Sequence, residues 1–158
     1  MNINITRAEA GRLESYTGLF SDCVLHDRYF SGESGRLRLC ENIMPAVERG
    51  DSAFEARDSA GQTVGLICVD WSGMLGAFPY IQLLGVSSAA RGMGVGSRLL
   101  DKVLLTAREA GFDRIFICVT EGNPRAKRLY VSKGFKKIAL VDSLFLRGVS
   151  ENILMKLL

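Results

Sequence analysis

The stretch Arg91-Gly92-Met93-Gly94-Val95-Gly96 joins an apolar, strand-like run, Tyr80 to Val86, to a strongly amphipathic segment that begins at Val95. Any fold for this chain must therefore contain a strand, a glycine-rich turn and a helix in immediate succession. Glycines on alternate residues leave one wall of the turn without side chains, so backbone N–H groups can close on a ligand. With the positive end of the helix dipole behind them, these groups suit a phosphate or pyrophosphate. Arg91 adds a cation at the mouth. Plain turn chemistry also puts glycines before helices, so this loop alone leaves both readings open.

A second motif follows: Val119, Asn123, Ala126, Leu129-Tyr130 and Gly134-Phe135. Arg-x-x-Gly-x-Gly (Arg91, Gly94, Gly96) followed by Asn-x-x-Ala-x-x-Leu-Tyr-x-x-x-Gly-Phe (Asn123 to Phe135) closely resembles the GNAT superfamily of acetyl-CoA-dependent N-acyltransferases. The resemblance is sharpest from Tyr80 to Phe135, and the order of elements extends it over most of the chain. It implies an α/β fold (α+β in some schemes), a mixed sheet of about seven strands with a splayed pair and flanking helices.

Length and composition agree with that reading. At 158 residues the chain is expected to form one domain over 1–158, burying ~70% of its unfolded surface. Nearly half of it is apolar, without repeats or low-complexity runs. The longest apolar runs, such as Val64 to Val69, fall far short of a membrane span. Met1 to Ile5 has neither a basic stretch nor an apolar core, so no signal peptide is expected there. Four cysteines, Cys23, Cys40, Cys68 and Cys118, lack metal-ligand spacing. Cys68 and Cys118 stand in strand-like runs as small hydrophobes, and a reduced, cytoplasmic setting with no metal is expected. The net charge of +3 is too small to point to nucleic acid. Basic residues gather near the motifs (Arg91, Arg98, Arg125, Lys127, Arg128, Lys133), which suits an anionic cofactor, although solvated helix faces account for many such charges.

Periodicity supplies the elements. Asn2 to Thr6 alternates as a half-buried strand does. Ala8 to His26 has helical spacing and reads as one broken helix. Ser31 to Gly35 reads as a mobile loop, and Arg36 to Arg49 as a helix that Pro45 bends or breaks. Ser52 to Arg57 and Gln62 to Trp71 form a hairpin around Asp58-Ser59-Ala60-Gly61. A turn at Ser72 to Ala77 leads into Phe78 to Val86, completing an antiparallel meander. Val95 to Ala110 is the clearest helix, with Val95, Leu99, Leu100, Val103, Leu104 and Ala107 on one face. Arg114 to Thr120 is a strand covered on both faces. Asn123 caps a short helix with Pro124 at its first position. Phe135 to Phe145 and Asn152 to Leu158 close the sheet as a hairpin across Arg147 to Ser150.

The resemblance assigns a site. Acetyl-CoA lies where Tyr80–Val86 splays from Arg114–Thr120, its pantetheine arm pairing with Leu84, Gly85 and Val86 as an added strand would. The Val86 N–H points at the thioester oxygen. The pyrophosphate sits on Gly92, Met93, Gly94, Val95, Gly96 and Ser97, beside Arg91. Asn123 bonds the pantetheine arm or serves only as a helix cap, or both. Tyr130, two helical turns on, is expected to protonate the departing thiolate. Lys127 joins the cofactor-binding set. Many family members carry a glutamate four residues before the valine matching Val86; here that residue is Gln82, which accepts no proton at neutral pH. Glu121 becomes the candidate base, ahead of Glu41, Asp70 and His26. His26 reads as a surface or capping residue, and Trp71 as packing. The acceptor is expected between Tyr16–Arg38 and the turn after Trp71, where Asp22, Asp27 and Glu33 suit a cationic amine.

The function so implied is acetyl transfer from acetyl-CoA to a primary amine of a small molecule, peptide or protein, in a ternary complex. A non-catalytic acyl-CoA-binding sensor or interaction module is the alternative, because the usual glutamate is missing. The expected partners are acetyl-CoA and the amine, with homodimerisation left open and neither nucleic acid nor membrane. The glycine spacing does not match the G-x-G-x-x-G of a dinucleotide-binding oxidoreductase, and no Gly-Lys-Ser/Thr marks a P-loop.

Overall fold

The computed structural model describes residues 2–20 and 31–158. Strand β1 (Asn4–Arg7) leads through a 3-10 turn (Ala10–Arg12) into α1 (Leu13–Gly18), and α2 (Gly32–Glu48) follows the undescribed stretch. Next come β2 (Ala53–Arg57), β3 (Thr63–Met74), β4 (Phe78–Val86), α3 (Val95–Glu109), β5 (Arg114–Thr120), α4 (Pro124–Ser132), β6 (Lys136–Asp142) and β7 (Ser150–Leu157). All strands join one seven-stranded sheet in the order β1-β2-β3-β4-β5-β7-β6. The β4–β5 pair is parallel; every other pair is antiparallel. The mixed sheet with flanking helices, the meander and the closing hairpin are as expected.

Two apolar clusters hold the helices to opposite faces. On one, Val95, Leu99, Leu100, Val103, Leu104 and Ala107 of α3 meet Ile67, Val69, Ile81, Ile115 and Ile117. Each large aliphatic side chain buried there contributes ~1.5–3 kcal/mol. On the other, Tyr16, Leu39, Ile43 and Val47 from α1 and α2 cover Leu66, Cys68 and Leu83. Two glycines set the spacing. A Cβ on Gly65 of β3 would lie 2.9 Å from both Leu99 Cδ1 and Val95 Cγ1, so α3 rests on bare backbone. A Cβ on Gly85 of β4 would lie 2.7 Å from Phe20 Cζ, so an aromatic ring abuts the bare backbone of β4 from the other face.

Several boundaries differ from the sequence reading. The single broken helix over Ala8 to His26 is, in its described part, a 3-10 turn and a short α1; His26 and Cys23 lie outside the described residues. The loop expected at Ser31 to Gly35 is the first turn of α2. Ser31 takes the N-cap position, Glu33 sits at the positive helix end, and Gly35 is buried on the face shared with Leu39 and Ile43, so packing outweighs the local glycine content. Pro45 does not end α2, which runs to Glu48; a proline this close to a terminus forfeits one hydrogen bond and no following turns. β3 continues to Met74, which pairs with Phe78. The turn narrows to Leu75–Ala77 because Leu75 and Gly76 take left-handed φ of 56° and 71°. β6 stops at Asp142, before a loop in which the Ser143 N–H donates to the Val149 carbonyl and the Gly148 N–H to Ser143 Oγ.

Because α3 has no slack above β3, Gly65→Ala is expected to destabilise the protein by ~1–3 kcal/mol through overpacking. Urea unfolding reads this directly, and an unchanged midpoint would show that α3 is free to shift.

Candidate active site

β4 and β5 pair only at Tyr80↔Phe116 and Ile81↔Ile117 and then part. The cause lies in β4. Ile81 pairs with Val69 and Leu83 with Cys68, so Gln82 is an extra residue without a partner on β3. Such a bulge bends its strand and increases the local twist. Beyond it, Leu84, Gly85 and Val86 stay paired with β3 on one edge and open on the other. The Ser87 N–H donates to the Val64 carbonyl at 3.0 Å, toward β3. Main-chain groups alternate along a strand, so the Val86 N–H and carbonyl point into the opening. Arg91 Nε donates to that carbonyl at 3.2 Å, fixing the glycine loop to the strand end.

Gly94 occupies the N-cap of α3 with φ 79° and ψ 4°, a left-handed conformation that costs other residues ~1–2 kcal/mol. Glycine has no side chain with which to cap. Among the described residues the N–H groups of Gly92, Gly94, Val95, Gly96 and Ser97 donate to no backbone carbonyl. They form a cluster of orphan donors at the positive end of a 15-residue helix.

The opening is a groove of about 410 Å³. Leu84, Gly85 and Val86 form its floor, the glycine loop one end, and α4 a wall. Asn123 caps α4, its side-chain oxygen accepting from the Ala126 N–H at 3.1 Å. Its amide nitrogen has no hydrogen-bond partner among the described residues and belongs to the groove lining. Tyr130 is 5% exposed, packs edge-on against Phe135 at 5.8 Å between ring centroids, and also lines the groove. Burial pushes its hydroxyl well above the ordinary tyrosine range, so the proton stays on.

The groove thus gathers Leu84, Gly85, Val86, Arg91, Gly92, Gly94, Val95, Gly96, Ser97, Asn123 and Tyr130 of the sequence-derived set. It leaves out three. Met93 is 54% exposed and lies off the lining. Lys127 turns to Glu121, with Nζ 3.9 Å from Oε2. Glu121 is exposed, bonded by the Asn152 amide, and held below the usual carboxylate range by that bond and by Lys127 and Lys137. Ala90, Arg125, Ala126 and Leu129 line the groove without having been assigned a contact. Ala126 follows Asn123 by one helical turn, and that spacing was signal enough. Trp71 stacks on Phe112 at 5.9 Å as packing. Burial raises the Cys68 thiol to about 12, leaving it inert. Asp22 and Asp27 lie outside the described residues, and no described helix is long and apolar enough to cross a membrane.

The model of the Acetyltransferase (GNAT) family matches residues 19–135. The chain belongs to the GNAT family. This family uses acetyl-CoA as cosubstrate. A mycothiol acetyltransferase from Beutenbergia cavernae is 40% identical over 60 residues, 38% of this chain and 20% of the relative, so the chain spans only about a fifth of that protein's length. Two solved structures share the fold along nearly the whole chain. A GCN5-related N-acetyltransferase from Kribbella flavida has a TM-score of 0.79 at 23% identity, covering 99% of this chain and 98% of its own. Ard1 from Thermoplasma volcanium has a TM-score of 0.80 at 20% identity, covering 100% of this chain and 99% of its own.

Gly94→Val places a β-branched side chain at positive φ, at the mouth of the orphan donors. It is expected to weaken acetyl-CoA binding at least ~10-fold while the protein remains folded. Calorimetry showing wild-type affinity in the folded variant would remove the glycine loop as the anion seat.

Proposed function

We infer that this chain transfers the acetyl group of acetyl-CoA to a primary amine by direct attack in a ternary complex. The observation that carries the reading is the open β4 edge between a cluster of orphan N–H donors and a buried tyrosine hydroxyl. The cosubstrate's pyrophosphate takes the N–H groups of the Gly92–Ser97 turn, with Arg91 and Arg125 at the mouth. Its pantetheine arm lies along Leu84–Val86 and takes the Asn123 amide. The Val86 N–H, aimed into the opening, meets the carbonyl oxygen where negative charge grows during attack.

The departing thiolate has a pKa near that of cysteine, ~8.5, so it can leave unaided, but protonation inside the groove speeds collapse of the intermediate. Tyr130 supplies that proton. Burial alone raises its pKa, which keeps the donor form populated at every working pH and prevents a basic-limb decline below its ordinary value of ~10. Glu121 suits proton relay poorly. Its depressed pKa makes it a weak acceptor, and it faces Asn152 and Lys127 instead of the groove.

Tyr130→Phe preserves the ring and its packing on Phe135 while deleting the donor. A fall in kcat toward ~10²–10⁴-fold is expected, with acetyl-CoA affinity little changed. The assay is thiol release from acetyl-CoA with a panel of polyamines, aminoglycosides, lysine and peptides bearing free N-termini. Wild-type kcat in the variant would make Tyr130 a packing residue. Tight acetyl-CoA binding with no thiol release from any amine would favour the acyl-CoA-binding module instead.

A further inference from the structure

A second cavity, of about 620 Å³, lies at the C-terminal ends of α3 and α4 and shares no lining residue with the groove. Helical period builds one of its walls. Asp101, Leu104, Leu105 and Arg108 stand at i, i+3, i+4 and i+7 on α3, so they form a single stripe. The stripe runs along the margin of the buried face, where Leu104 is 5% and Leu105 49% exposed. The other wall is the end of α4 at Ser132, with Lys133 and Gly134 behind it. Lys156 of β7 supplies the remaining lining. A Cβ on Gly134 would lie 2.9 Å from Lys156 Nζ, so the ammonium rests against bare backbone at the end of α4.

The charges here do not balance. Three cations and one carboxylate line the cavity. Lys133 is committed, its Nζ donating to both oxygens of Asp101 at 2.6 and 2.7 Å. Arg108 and Lys156 make no ion pair among the described residues. Arg108 stands in the last turn of α3 and Lys156 beside the end of α4. Each helix end offers about half a negative charge, so about one positive charge is left over. By contrast, the buried carboxylate of Glu55 is satisfied within the fold, bonded by Arg57 and Thr63 and paired with Arg12.

We propose that this cavity is a second ligand site, separate from the groove, for a small phosphate monoester with an apolar body. Arg108 and Lys156 hold the phosphate, and Leu104 and Leu105 meet the apolar part. A phosphate monoester carries ~1.5–2 negative charges at neutral pH, matching two cations where a carboxylate would match one. A guanidinium grips phosphate through two parallel N–H bonds, and an exposed arginine can turn to do so without moving the fold. Asp101 lies seven residues from Arg108, about 10 Å along the helix, and directs the anion to the Arg108 end. The volume of about 620 Å³ exceeds what a bare phosphate needs and falls among small-molecule sites. Only binding is inferred, so the site stands whether or not the groove transfers acetyl groups.

The test is binding of phenyl phosphate to the full chain, followed by calorimetry and by amide and methyl chemical shifts. Inorganic phosphate is the second probe, and coenzyme A in excess occupies the groove. Phenyl phosphate should bind with a Kd of ~1 mM or below. It should shift Leu104, Leu105 and Gly134 and leave Gly92 to Ser97 unmoved. Inorganic phosphate should bind ~5–10-fold more weakly, because it leaves Leu105 in water. Arg108→Gln and Lys156→Met should each weaken phenyl phosphate at least ~3-fold and together abolish saturable binding. Leu105→Ser should erase the preference for phenyl phosphate. Arg108 and Leu105 are exposed, so their variants keep the fold, with melting temperature as the control. If Lys156→Met does not fold, Arg108→Gln and Leu105→Ser decide. No saturable binding by the wild type overturns the inference, as does binding that survives Arg108→Gln. Equal affinity for the two probes overturns it too. Displacement by coenzyme A, or loss in Gly94→Val, would place the anion on the glycine turn and overturn it likewise.

Discussion

The site depends on two strands that stop pairing. An open edge inside a sheet leaves main-chain donors and acceptors without partners, and proteins rarely tolerate that. Here the opening is imposed. The unpaired Gln82 bends β4 away from β5, and contacts on both faces hold it there. On one, α3 lies against Gly65 and Arg91 holds the Val86 carbonyl. On the other, Phe20 rests on Gly85. β5 has no freedom to follow, because it is paired along its whole length with β7 from Arg114↔Leu157 to Thr120↔Glu151. The opening is thus a property of the packed sheet, and an extended ligand can satisfy the edge as a strand would.

That parting also separates two kinds of electrostatics. On the α3/α4 side are the orphan donors of the glycine turn with Arg91 and Arg125, a setting for an anion. On the α1/α2 side the Thr120 hydroxyl donates to the buried Glu151 carboxylate.

Family membership explains what is common, and individual residues decide the rest. The two structural likenesses, at 20% and 23% identity, speak for the fold. The mycothiol acetyltransferase match covers too little of either chain to carry an acceptor across. What marks this chain is a glutamine at the β4 bulge, a half-exposed glutamate tied to Asn152 and Lys127, and a buried glutamate on β7.

Local chemistry was legible in the sequence wherever it is decided within a few residues. α3, β5, the glycine turn and the Asn123 cap with Pro124 behind it all follow from period, capping and the absence of a Cβ. Much of the groove lining followed too, because the turn, the cap of α4 at Asn123 and Tyr130 seven residues on supply most of it. The first turn of α2, the reach of β3 to Met74 and the bulge at Gln82 were not legible, since each is settled by a partner distant in the chain. The surroundings of the carboxylates were not legible either. Glu121 recommended itself by following the splayed strand, yet its side chain is drawn to Asn152 and Lys127. Glu151 carries no motif and stands far from both glycine turn and tyrosine in sequence. Only antiparallel pairing of β7 with β5 brings it beside Thr120 at the opening, because strand register, unlike helical period, is written in no single segment.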